Sequence, residues 1–223
     1  MKFIYPSFFN TRVQLFVSLL LLMVLQTAFT QKQKVPPGTK QIKSDIAEVK
    51  RFIDLEEVSF FEWAVVYMYA KQTYGEEQAT GLMFDSNAVI KVYGNDFWQE
   101  LKRNKMQSNY PVVGLGLEQI KRYCEVRSTM VKMVTGVIYT YELPHTSDYK
   151  QFKPKPSKYN QSTPAHSNKA AKTQGVRGLF DNIGELLMGD EGPHKMLPSG
   201  TSEAVSPDDI YLQTFRCVAT LDN

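Results

Sequence analysis

An α+β fold of short helices and short strands joined by long loops is predicted by three features of this chain. Apolar residues recur at helical spacing in Phe60–Lys71 and Asn95–Arg103. Apolar alternation or short apolar runs mark Thr135–Leu143 and Ile210–Ala219, and long polar, Pro- and Gly-containing stretches separate these pieces. The 223 residues suffice for one well-cored domain, and apolar and charged fractions of 43% and 22% are ordinary for a globular protein.

The first 30 residues stand apart. Lys2 and Arg12 precede the apolar run Leu15–Leu25, and Ala28 and Thr30 supply small residues after it. Basic, apolar and small-polar segments in this order read as a cleavable secretory signal over residues 1–30, cut near Thr30 or Gln31. The alternative, a retained anchor, is disfavoured because the uninterrupted apolar core falls short of the roughly 20 residues a spanning helix needs. No cysteine follows the run at a lipoprotein position. Without Lys2 and Arg12, 24 of the 26 basic residues face 23 acidic ones, a balance that gives no argument for a nucleic-acid partner.

Residues 31–43 are polar, and Val35-Pro-Pro-Gly-Thr39 is extended and then turned. The main domain is assigned to residues 44–223. Val49, Phe52 and Ile53 lead into Asp54-Leu-Glu-Glu-Val-Ser59, after which Phe60, Trp63, Ala64, Tyr67 and Met68 fall on one helical face. Asp85–Tyr93 reads as a short strand with its turn, and Asn95–Arg103 as a helix capped by Asn95. Asn109–Ser128 joins a turn at Tyr110-Pro111, a buried strand from Val112 to Leu117, and a short helix opened by Glu118 whose inner face carries Ile120, Tyr123 and Cys124. Thr135–Leu143 reads as a strand ended by Pro144, and His145–Phe152 as one helical turn.

Residues 150–177 hold seven basic residues and no acidic one, the composition of a solvated loop or of a contact for an anionic surface. Gly178–Met188 restores apolar periodicity, a second polar loop runs to Asp209, and Ile210–Ala219 reads as a terminal strand. The two cysteines, Cys124 and Cys217, are compatible either with one bridge in an oxidising compartment or with two buried thiols. A bridge over that span stabilises by about 4–5 kcal/mol in the chain-entropy model.

In this order, the pieces resemble the formylglycine-generating-enzyme or sulfatase-modifying-factor family, whose fold is C-type-lectin-like. Val35-Pro-Pro-Gly-Thr39 is similar to the family's V-P-x-G opening, and Phe52–Ser59 to F-x-I-D-x-x-E-V-T. Tyr110–Ser128 resembles P-V-x-x-V-S-W-x-x-A-x-x-Y-C-x-W, Tyr141–Pro144 stands at Y-R-L-P, Gly178–Gly184 resembles G-L-Y-D-M-x-G, and Phe215–Val218 the closing F-R-C-V. The resemblance implies that Cys124 and Cys217 are the family's structural disulfide. It also points to a bacterial subgroup associated with gliding motility and secretion.

The departures bear on chemistry. Leu117 and Val126 stand where the family has Trp, Glu142 where it has Arg, and His145–Tyr149 where it has T-E-A-E-W. Met188 takes the place of a calcium-binding carboxylate, and a thioether is a poor ligand for a hard cation. Catalytic members bind copper through a C-x4-C pair shortly before the last strand, whereas Met188–Tyr211 contains no cysteine. Gly192–Gly200 replaces the usual R-G-G-S-W. A second enzymatic branch takes iron from a multi-His motif, but His145, His166 and His194 are scattered through polar segments.

The resemblance therefore implies an exported pseudoenzyme, with no catalytic, cofactor-binding or metal-binding residues assigned. It would bind another envelope or secreted protein, with no nucleic acid and no integral membrane span after signal cleavage. Its expected location is periplasmic, outer-envelope-associated or secreted. The competing expectation is a formylglycine-generating oxidoreductase acting on a protein cysteine through another metal site.

Overall fold

The chain end ties two open sheets together. Thr214–Phe215 (β9) belongs to one sheet and Val218–Asp222 (β10) to the other, with only Arg216 and Cys217 between them. The computed structural model describes residues 35–44, 48–106, 108–154, 170, 172–180 and 183–222. Residues 1–34, including the signal segment expected at 1–30, and residues 155–169, including His166, lie outside this set.

The first sheet has the order β1-β2-β10-β3, formed by Thr39–Ile42 (β1), Val49–Asp54 (β2), β10 and Thr140–Glu142 (β3), all antiparallel. Side chains alternate across it: Phe52, Ala219 and Tyr141 enter the main core, while Ile53 and Val218 enter a second core with Tyr149, Phe152, Leu187 and Met196. The second sheet has the order β8-β7-β6-β9, with Glu185–Gly189 (β6), Gly192–Met196 (β7) and Ser202–Ala204 (β8). β6 and β9 pair in parallel, which places Glu185 beside Thr214 and Leu186 beside Phe215. The fold is thus mixed α+β with short elements and unclosed sheets.

Phe60–Tyr74 forms helix α1, started by a capping box in which Ser59 and Glu62 satisfy each other's backbone N–H groups. Its buried face is Phe60, Trp63, Val66 and Ala70, so Met68, assigned to that face from spacing, is instead exposed. The helix is apolar on both sides, with Phe61, Val65 and Met68 outside, and spacing alone does not select a face. Glu76–Thr80 (α2) follows.

Asp85–Tyr93, predicted as a strand, is a helix over Ser86–Tyr93 (α3). Asp85 caps it by accepting from the Asn87 N–H at 2.8 Å, and Gly94 ends it at φ 89°. The β-branched residues Val89, Ile90 and Val92 favoured the strand reading, but the Asp-to-Gly bracket and burial of Ala88 and Val89 prevail. Asn95–Arg103 (α4) is helical as predicted, with Gly94 rather than Asn95 at the cap.

Val112–Gly116 is buried but forms no regular strand, and Leu117 already opens the next helix. Gly114, at φ 90°, approaches Asp85 so closely that a Cβ would come within 2.6 Å of its carbonyl oxygen. The backbone of this run bonds instead to Val58, Asp85 and Tyr211. The helix after it is long, Leu117–Thr135 (α5), and stops at Gly136 in the left-handed region. Thr135 consequently closes a helix, and the strand predicted from it shrinks to β3. The turn predicted after Pro144 is present as Thr146–Tyr149 (α6).

Two predicted loops contain strands. Lys172–Thr173 (β4) and Val176–Arg177 (β5) form a small hairpin, and the second polar loop supplies β7 and β8. Ile210–Ala219, predicted as one strand, divides into a 3-10 turn at Ile210–Leu212, β9 and the start of β10. The break lies at Arg216, whose fully buried guanidinium binds Glu185 through Nε and Nη2 and donates to the carbonyls of Asp54 and Arg177 at 3.1 and 2.7 Å.

Burial holds the Glu185 carboxyl above its ordinary value, and the Arg216 pair offsets that tendency. Removing only one partner leaves a buried charge. R216M is expected to cost about 3–5 kcal/mol in urea unfolding, with R216M/E185L recovering most of that loss. Burial also pushes the Tyr123 and Tyr149 hydroxyls well above their ordinary value of 10. A raised folded-state pKa gives stability that is full below the unfolded value and lost as pH rises above it. Absorbance titration should therefore show part of the 12 tyrosines ionising above about pH 10 only together with loss of the fold.

Candidate functional site

Asp54 and Arg127, paired behind the first sheet, set the geometry of a large concavity among the described residues. At the end of β2, Asp54 accepts from both Nη atoms of Arg127 on α5, at 2.6 and 2.7 Å, and from the Cys217 N–H at 2.9 Å. Burial opposes the Arg127 charge, but Asp54 outweighs it and holds the guanidinium well above its ordinary value. The same guanidinium lies 4.4 Å from the ring centre of Tyr141 on β3. Helix α5, β2, β3 and the chain end are fixed together here.

In front of this group lies a cleft of about 940 Å³. Arg51 on β2 forms its wall by a two-pronged bond to Asp148, at 2.9 and 2.8 Å, and a third bond to Glu142 at 2.9 Å. Asp148 is buried and also accepts the His145 N–H, which ties α6 to the sheet. Cys124, Tyr141, Leu143, Val49 and Met188 give the cleft an apolar lining, while Lys43, Lys121 and Lys150 line it as exposed cations.

His145 sits at the cleft as the cap of α6. Its Nδ1 accepts from the Ser147 N–H at 3.4 Å, and its Nε2 lies 3.4 Å from Asp190. His194 is on β7, with its Nδ1 buried, and His166 lies outside the described residues. More generally, no group of three or more His, Cys, Asp or Glu there is arranged to hold a metal ion. Met188, at the position compared with a calcium ligand, donates its backbone N–H to Pro144 and lines the cleft.

The two cysteines are brought together. Cys124 and Cys217, 93 residues apart, are both buried and lie unbonded as thiols with Sγ atoms 3.4 Å apart. Burial first, and then the neighbouring Cys124 thiol, push Cys217 well above its ordinary value, so it stays protonated at neutral pH. Cys124 faces the cleft while Cys217 stands behind it.

Sequence reasoning missed Arg51, Asp54, Arg127, Asp148, Glu185 and Arg216 as organising residues. One signal was present: Arg216 interrupts the apolar run Phe215–Val218, and a charge inside such a run calls for a buried partner. Comparison of the chain with protein-family models, with curated proteins and with solved structures finds no match. Among the described residues, no helix is long and apolar enough to cross a membrane.

Proposed function

We propose that this chain is an exported, non-catalytic binding domain of the sulfatase-modifying-factor type, C-type-lectin-like in fold, that serves bacterial envelope assembly by holding another envelope or secreted protein in its cleft. One observation carries the reading. Segments on which the resemblance rests, distant in sequence, are neighbours: Val218 stands opposite Ile53 on one side and Glu142 on the other, and Cys124 touches Cys217. In an oxidising compartment the thiols would close the 93-residue span as a disulfide, stabilising the fold by about 4–5 kcal/mol in the chain-entropy model.

The absence of catalysis is argued from thiol chemistry. Copper of the family's kind requires paired thiolates, and the sequence between Met188 and Tyr211 supplies no cysteine. The two that exist are buried, and Cys217 is held protonated. Partner binding draws on the walled cleft, which has an apolar lining and charged sides.

Non-reducing peptide mapping of protein recovered from the envelope or medium tests the reading, combined with affinity capture. The expected result is a mature start near Thr30 or Gln31, a Cys124–Cys217 linked peptide and a co-purifying envelope protein. Free thiols at both positions with a retained leader would contradict it.

A further inference from the structure

The ligand chemistry of the cleft follows from which of its charges are already satisfied. Glu142 and Asp148 are both taken by Arg51, and Glu125 pairs with Arg122 at 3.0 Å. The cations are less occupied. Lys121 pairs only with Glu118, which is 84% exposed, a contact that contributes little in water. Lys43 and Lys150, both exposed at the cleft, have no carboxylate partner among the described residues. The lining thus holds four cationic side chains, Lys43, Arg51, Lys121 and Lys150, against three carboxylates, Glu125, Glu142 and Asp148, and Lys43 and Lys150 are the two without a carboxylate partner among the described residues.

That charge continues along the chain. From Lys150 to Arg177 the sequence has seven basic residues and no acidic one, and described members Lys153 and Lys172 are exposed. The cleft is concave and lined by Tyr141, Leu143, Val49, Met188 and Cys124. Such a shape admits an extended chain with apolar side chains below and carboxylates above, whereas a planar bilayer cannot enter it.

We infer that the cleft binds an acidic peptide segment of a partner protein, its carboxylates meeting Lys43 and Lys150 and its apolar side chains resting on the partly exposed Val49 and Met188. This rests on the reading of the cleft as a binding site and specifies its ligand. Because Lys43 and Lys150 are exposed and make no ion pair among the described residues, reversing their charge leaves the core contacts in place.

The test is fluorescence anisotropy of the full chain with a labelled short peptide of alternating Glu and Leu, a Lys and Leu counterpart, and vesicles containing phosphatidylserine. The acidic peptide is expected to bind, to weaken with added salt, and to lose about tenfold or more of its affinity in K43E/K150E, with the thermal midpoint unchanged. M188S is expected to weaken binding without changing the salt dependence. Equal binding of the basic peptide, preference for the vesicles, or undiminished binding in K43E/K150E would each overturn the inference. Capture of an envelope partner by wild type and K43E/K150E alike would overturn the acidic-ligand assignment alone. Capture by neither, with the acidic peptide still bound, would instead count against the envelope role.

Discussion

The crossing at Arg216 and Cys217 is the constraint on which the other contacts depend. Between β9 and β10 the chain passes through the interior, where a guanidinium and unpaired backbone groups are costly. They are answered by partners from β6 and from β2. Glu185 on β6 takes the Arg216 charge, the Asp54 carbonyl takes a further Arg216 N–H, and the Asp54 carboxylate takes the Cys217 N–H. In return, the Asp54 N–H donates to the Cys217 carbonyl and the Val58 N–H to the Phe215 carbonyl. Two sheets that share no edge are thereby locked to one short segment.

The cleft inherits its form from this lock. Asp54 also orients Arg127, which lies over Tyr141, and Tyr141 lines the cleft. Arg51, three residues earlier on β2, reaches the opposite side and fastens β3 and α6. Glu142 and Asp148 are engaged by Arg51 in building its walls, and Lys43 and Lys150 stand at it without a carboxylate partner among the described residues. Architecture and ligand preference thus arise from one distribution of charge.

Much of this was legible in the sequence, and the failures have physical reasons. The α+β class, α1, α4, the one-turn α6 and the inward face of Ile120, Tyr123 and Cys124 follow from spacing and caps. Ser86–Tyr93 was misread because β-branched residues spoke for a strand while the capping Asp85 and terminating Gly94 decided for a helix. β7, with Gly, Pro, His and Lys, lacks an apolar alternation and is held by its neighbours β6 and β8. The cleft was hidden for a different reason: Arg51 is 91 residues from Glu142 and 97 from Asp148, and no local pattern announces that they meet.

Native-state hydrogen exchange at the Cys217 and Asp54 amides addresses the role of the crossing most directly. If the crossing holds the two sheets together, both amides exchange only through global unfolding, with the same free energy as denaturant unfolding. Exchange at a clearly lower free energy than the flanking β2 and β10 amides would contradict it, because the crossing would then open while the sheets it is said to join stayed folded.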